Sequence, residues 1–262
     1  METPIPVSAP EPVVTSHKTV NTPAYVAFVL LSALGAFFGA QVMGPLLIAI
    51  VGYSFGVKEK ALGNAIENNS YIRFIMIFAI ELITMWFVSL LLKRRKQKFS
   101  DIGLGRKPKF DDVRKGLLTY GCYFLLYLII VTAVSATGLI NTQQPQQLGF
   151  TQARGAELAF VFLSLVILPP IAEEILFRGY IYLGLRRRLG PYTAGAITSL
   201  LFSIAHLEFG SGVGLNYAAA LDTFILSCVL VYITEKTKSL WPGMVLHATK
   251  NLIAFLALFV IK

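Results

Sequence analysis

Residues 168–180 read LPPIAEEILFRGY, and they place three charged side chains in one of the most apolar stretches of the chain. The three are Glu173, Glu174 and Arg178. A charged side chain at the centre of a bilayer costs roughly 2.5–3.5 kcal/mol on insertion scales, so such residues are functional candidates by default. The setting of this stretch therefore decides both the fold and where a functional site is to be sought.

The composition of the whole chain is typical of an integral membrane protein. Of its 262 residues, 55% are hydrophobic and 14% are charged, whereas soluble domains carry about 25% charged residues. The net charge of +9 does not indicate nucleic-acid binding, because the basic residues lie between apolar segments, where they orient a membrane protein. We therefore predict an all-α, polytopic transmembrane helical bundle whose environment is the lipid bilayer, with no nucleic-acid partner.

Seven segments have roughly the 20 apolar residues that a spanning helix needs. Gly44-Pro45 is expected to kink or split the first of them, and a split would raise the number of spans to eight. The fifth segment is short, so it is expected to be steeply placed or re-entrant. The seven segments are 24–51, 71–92, 116–140, 156–184, 192–207, 214–234 and 240–261.

The basic residues predict the orientation of the bundle. The 93–115 connection alone holds ten Lys and Arg, and one side of the membrane receives sixteen in all, against four on the other. The positive-inside rule then places the basic loops and the N-terminus in the cytoplasm. Residues 1–22 are polar and Pro-rich, which predicts a disordered cytoplasmic tail. The absence of organelle-targeting features favours a bacterial cytoplasmic membrane.

Three groups of polar residues lie inside the C-terminal apolar segments. In AEEILFR, Glu174 and Arg178 are four residues apart and can pair on a helix, while Glu173 points about 100° away and is free to face a cavity. A purely structural ion network between helices would explain the same three residues.

The other two groups centre on histidines. Phe202 and His206 are one turn apart in the fifth segment, and His247 and Asn251 share a face of the last one. A lone membrane histidine is often a hydrogen-bonded core residue.

Taken in order, EEILFR, FSIAH and HATKN match the patterns EExxxR, FxxxH and HxxxN. In that order and spacing they resemble the CPBP family of intramembrane proteases, which includes the type II CAAX prenyl endopeptidases and the Abi or bacteriocin-immunity proteins. The resemblance implies a catalytic core over 150–262, preceded by N-terminal transmembrane helices and a basic cytoplasmic loop over 23–149.

The resemblance also implies peptide-bond hydrolysis and assigns roles to these residues. Glu173 would be the general base that activates water, with His206 beside it and Phe202 in support. His247 and Asn251 would hold or polarise the scissile carbonyl, and Glu174 and Arg178 would orient the site. The implied partner is a peptide or membrane-protein substrate, with or without an attached lipid.

Two mechanisms stay open for such a site. Glu173, His206 and His247 could bind zinc, with water in the fourth position. Alternatively, no metal is present and Glu173 with His206 activates water directly, which is the slightly favoured version. The absence of HExxH removes the usual zincin helix, and neither a serine nor a cysteine nucleophile has a recognisable setting.

Two other classes of function compete with the protease interpretation. A proton-coupled transporter would also use buried Glu, His, Arg and Lys, and Glu81 and Asp222 would support it if they lined the same cavity. Missing inverted repeats weigh against it. A non-catalytic membrane protein that binds a partner peptide, as a bacteriocin-immunity factor would, is the second alternative.

Overall fold

The computed structural model describes residues 22–138, 150, 153–207 and 215–261, and this part of the chain contains helices and no strands. The predicted N-terminal tail lies almost wholly outside the described residues. These described ranges contain nine α-helices, in order α1 Thr22–Ser54, α2 Glu59–Asn68, α3 Ser70–Arg94, α4 Phe110–Thr137, α5 Glu157–Phe162, α6 Leu168–Glu173, α7 Leu183–Ala205, α8 Tyr217–Thr237 and α9 Trp241–Phe255.

Six helical stretches in the described residues are long and apolar enough to cross a membrane. Five correspond to single predicted spans. The sixth, Glu157–Ala205, joins the fourth and fifth predicted spans, and the chain turns sharply between them at Gly190, where φ is +75°. The predicted transmembrane helical bundle is therefore confirmed, with six or seven spans according to how this stretch is counted.

The first predicted span is one unbroken helix, so the split that would have raised the number of spans to eight is not found. Pro45 lies inside α1 without dividing it, because membrane helices tolerate a missing backbone donor when neighbouring groups compensate. At Gly44 the side chain of Ile80 on α3 comes so close that a Cβ would lie 2.3 Å from it. The Gly-Pro pair thus marks a close helix contact.

Two segments with π-helical turns lie within the long helical stretch Glu157–Ala205. They cover Leu163–Ile167 and Glu174–Tyr182, on either side of the short α6, and a further π-helical segment, Leu256–Val260, follows α9. Glu174 and Arg178 both lie in the second of these segments. Such wide turns are often found at functional sites.

One hydrophobic core joins the two halves of the chain. It contains Val29 of α1, Val88 of α3 and Tyr123 of α4 together with Phe202 of α7 and Leu246 of α9. Large apolar side chains also cover the outside of α1, α3 and α4. A surface of this kind suits lipid, since water-soluble monomers seldom expose contiguous apolar patches of more than a few hundred Å².

The basic connection between α3 and α4 is folded against the bundle. Its 3₁₀ turn Phe99–Ile102 ends at Gly103, whose φ of +96° favours glycine. The Gly103 carbonyl accepts a hydrogen bond from the backbone of Leu240 at 3.1 Å. The Arg106 carbonyl accepts another from the indole of Trp241 at 2.8 Å. These bonds fix the start of α9, the helix that carries His247 and Asn251.

Candidate active site

The site begins with a carbonyl that its own helix cannot satisfy. The Leu165 carbonyl would accept from residue 169 in an α-helix or from residue 170 in a π-helix, and both are prolines without an N–H. The side-chain amide of Asn251 on α9 donates to this carbonyl at 2.8 Å. The two prolines thus leave an acceptor free for the bond that ties α9 to the charged helix.

Glu174 and Arg178 form a buried ion pair. Both side chains are fully buried, and Nη1 of Arg178 donates to Oε1 of Glu174 at 3.0 Å. The remaining guanidinium donors have no acceptor in the described structure, but the guanidinium carbon lies 4.3 Å from the centroid of the Phe202 ring. A cation over an aromatic face is stabilised by the ring quadrupole, so Phe202 partly replaces the missing acceptors.

The same carboxylate orients His247. Nδ1 of His247 lies 3.1 Å from Oε1 of Glu174, in hydrogen-bond range. Since a carboxylate can only accept, Nδ1 carries the proton of this bond. Nε2 then points the other way and lies 3.8 Å from Oε2 of Glu173. Gly243, one turn earlier on α9, leaves room for this approach, because a Cβ there would lie 3.3 Å from Oε2 of Glu174.

His206, at the C-terminal end of α7, is oriented in the same manner. Its Nδ1 lies 2.8 Å from the carbonyl oxygen of Phe202, which can only accept. Its Nε2 lies 4.0 Å from Oε2 of Glu173. The Phe202 ring contacts both imidazoles, with ring centroids 4.4 Å from that of His206 and 5.9 Å from that of His247. Two imidazole nitrogens therefore face one oxygen of Glu173.

These groups open into a cavity of about 200 Å³. Oε2 of Glu173 is buried and has no hydrogen-bond partner among the described residues. Its distances to the two Nε2 atoms exceed those of a direct hydrogen bond, so a small polar molecule can bridge the three atoms. The polar residues that line the cavity are Glu173, His206, Thr223, His247, Lys250 and Asn251.

The C-terminal part of the chain also matches a known family. Residues 155–253 match the family model described as type II CAAX prenyl endopeptidase Rce1-like. This segment is similar to the type II CAAX prenyl endopeptidases. The resemblance that the three motifs indicated is thereby confirmed over that segment. No curated protein and no solved structure matches the chain.

The endopeptidase-like segment contains all seven predicted site residues. Glu173, His206 and His247 converge around the cavity, and Asn251 lines it while it holds the Leu165 carbonyl. Glu174, Arg178 and Phe202 lie behind them and contact the imidazoles or one another. All seven predicted site residues therefore lie in the cavity wall or directly behind it.

The predicted zinc ligands do not form a metal site as they are placed. Their donor types and fixed tautomers suit zinc. Nevertheless, two ligands of a tetrahedral zinc ion lie about 3.3 Å apart, whereas Glu173 is 3.8 and 4.0 Å from the two imidazoles. Within the described ranges, no group of three or more His, Cys, Asp and Glu is arranged to hold a metal ion. Zinc binding therefore stays a prediction.

A second ion pair lies beside the cavity. Nζ of Lys250 is 2.8 Å from Oδ2 of Asp222 on α8, and the Tyr123 hydroxyl on α4 donates to the other oxygen of Asp222. Neither Asp222 nor Glu81 lines the cavity. Glu81 and Asp222 would support a proton-coupled transporter only if they lined this cavity, so they do not support it here.

Two features of the site were missed at the sequence level. Lys250, three residues after His247, lines the cavity but was given no role in the predicted site. The Leu165 carbonyl is the other. The adjacent prolines at 169 and 170 indicate an unpaired carbonyl four or five residues earlier, although they do not say which side chain satisfies it.

Proposed function

We propose that this chain is an intramembrane endopeptidase that hydrolyses a peptide bond of a membrane-associated protein or peptide. One observation carries the proposal: Oε2 of Glu173 faces Nε2 of both His206 and His247 across a cavity among membrane helices. Peptide hydrolysis requires a base beside an activated water and a donor for the developing oxyanion. The similarity of residues 155–253 to type II CAAX prenyl endopeptidases supports the same class of reaction.

In the proposed reaction, water binds between Glu173 and His206. Glu173 takes one proton as the water oxygen forms a bond to the carbonyl carbon, and the carbonyl oxygen becomes an oxyanion. When the C–N bond breaks, the proton held by Glu173 passes to the leaving nitrogen. The products are a carboxylic acid and an amine, and the base is regenerated.

The oxyanion would be stabilised from α9. Asn251 uses one amide N–H for the Leu165 carbonyl and has a second for the substrate. His247 is oriented by Glu174 so that its Nε2 points toward Glu173 in the cavity, and this nitrogen can donate to the oxyanion when the ring carries two protons. Glu174 and Arg178 therefore act as positioning residues, because they hold His247 without facing the cavity.

The test uses purified protein in neutral-lipid nanodiscs and two reporter peptides. Both end in the same CAAX-type sequence, and only one carries a farnesyl group on its cysteine. Mass spectrometry of the products gives the cleaved bond and the rate. Glu173→Gln and His206→Gln should each lower the rate by about 10²–10⁴-fold, whereas Glu59→Gln, on the exposed face of α2, serves as the matched control.

The outcomes separate the remaining possibilities. Undiminished cleavage by Glu173→Gln would show that the proposed base is wrong. Binding of a peptide that the wild type never cuts would favour the partner-binding alternative. If only the farnesylated peptide is cleaved, the enzyme also recognises the lipid attached to its substrate. Zinc content of the active protein, measured by mass spectrometry of the metal, decides between the two mechanisms.

A further inference from the structure

A second cavity, of about 480 Å³, lies away from the site just described. It is lined by Tyr25, Arg95, Gln97, Arg187 and Arg188. Tyr25 is near the start of α1, Arg95 directly follows α3, and the two consecutive arginines lie just before the sharp turn at Gly190 in α7. The cavity is thus formed where three membrane helices begin or end.

The arginines of this cavity are not paired with acids from the described part of the chain. There, no carboxylate lies within 4.0 Å of Arg95, Arg187 or Arg188. The neighbouring Arg186 differs, since its Nε lies 2.5 Å from Oε2 of Glu235. Three guanidinium groups around one cavity repel one another, and an anion between them would remove that cost.

Aromatic rings fix the position of the innermost arginine. The Arg95 guanidinium carbon lies 5.0 Å from the ring centroid of Tyr25 and 5.2 Å from that of Tyr180, and Arg95 also donates to the Tyr25 hydroxyl. Arg188 approaches the Tyr25 ring at 5.4 Å. The Tyr25 hydroxyl, which accepts from Arg95, keeps its own hydrogen for another acceptor.

We propose that this cavity binds a phosphate group. Guanidinium groups bind phosphate oxygens through paired, charge-assisted hydrogen bonds, and the Tyr25 hydroxyl supplies a further donor. Basic pockets between membrane helices commonly hold phospholipid headgroups. The phosphate can come from an anionic phospholipid in the adjacent leaflet or from a free phosphate in solution, and the proposal does not depend on the protease activity.

The experiment measures binding of both kinds of phosphate to the full chain in neutral detergent micelles. Native mass spectrometry gives the affinity for palmitoyl-oleoyl phosphatidylglycerol, with the phosphatidylcholine of the same chains as reference. Titration calorimetry gives the affinity for inorganic phosphate. The variant Arg187→Gln/Arg188→Gln removes two guanidinium groups, and Lys93→Gln/Arg94→Gln removes two charges outside the cavity.

We expect phosphatidylglycerol to bind roughly thirtyfold more weakly to the Arg187→Gln/Arg188→Gln variant than to the wild type, because each basic residue contributes about a fivefold gain. The Lys93→Gln/Arg94→Gln control should stay close to the wild type. Binding of the lipid but not of inorganic phosphate assigns the site to a headgroup, and binding of both shows that phosphate itself suffices.

Three results would overturn the proposal: no binding of either ligand, equal binding by the wild type and the cavity variant, or an equal loss in the control. If the glutamine variant fails to fold, Arg187→Lys/Arg188→Lys decides instead. It keeps the charges but loses the paired donors of guanidinium, so weaker binding supports the site and unchanged binding refutes it.

Discussion

Replacing Arg178 by methionine tests how the buried ion pair sustains the site. Arg178 and Glu174 are both fully buried, and the guanidinium also covers the ring of Phe202. Methionine fills much of the same volume without the charge. The Arg178→Met variant therefore keeps most of the packing and leaves the Glu174 carboxylate without its cation.

The expected cost follows from that burial. Removing one partner of a buried pair costs about 3–5 kcal/mol of the free energy of unfolding, whereas replacing both by apolar or neutral groups is often close to neutral. We expect Arg178→Met alone to lose about 3–5 kcal/mol. The double variant Glu174→Gln/Arg178→Met should lie within about 2 kcal/mol of the wild type, because the amide oxygen that replaces the carboxylate can still accept a hydrogen bond from His247.

The assay is reversible unfolding in mixed micelles of dodecyl maltoside and sodium dodecyl sulfate, followed by circular dichroism. A double-mutant cycle over the wild type, both single variants and the double variant gives the coupling free energy. The double variant is expected to lose at least about 2 kcal/mol less stability than the sum of the losses in the two single variants. Equal stability of the Arg178→Met variant and the double variant would refute the account of Glu174 as a buried charge that needs its partner.

Two further predictions concern α9 and its neighbours. Asn251→Ala should destabilise the protein by about 1–3 kcal/mol in the same assay, because the Leu165 carbonyl loses its donor; a change below about 0.5 kcal/mol would show that the carbonyl is satisfied otherwise. Gly116→Ala should cost about 1–3 kcal/mol, since its Cβ would lie 2.6 Å from the side chain of Val245. Gly121→Ala, on the same helix with nothing within 4 Å, is the control, and equal losses in both would contradict the packing argument.

The positions of the membrane helices could be predicted because length and apolar composition determine them. The predicted span 71–92 corresponds to α3, Ser70–Arg94, and the predicted span 214–234 corresponds to α8, Tyr217–Thr237. The amphipathic α2, Glu59–Asn68, was missed, since it is short and polar. Whether Pro45 divides a helix could not be predicted either, because the answer depends on the neighbouring helix that packs against Gly44.

The residues that form the site could be predicted from the sequence, whereas the orientation of their side chains could not. Spacing indicated that Glu174 and Arg178 can pair and that Glu173 points elsewhere. Nothing in the spacing tells which nitrogen of His206 or His247 faces Glu173, because a carbonyl on α7 and a carboxylate on another helix decide it. The π-helical turns from Glu174 onward leave the apolar pattern of the sequence unchanged, so that pattern could not predict them.

The buried ion pair also bears on how the chain is assembled in the membrane. Glu174 and Arg178 lie four residues apart on one helical segment, so the pair needs no other helix in order to form. The segment can enter the bilayer with these two charges already matched, at a lower insertion cost than two separate charges would carry. Glu173, by contrast, meets His206 and His247 only after α7 and α9 have packed beside it. The polar centre therefore requires the association of helices, whereas the ion pair does not.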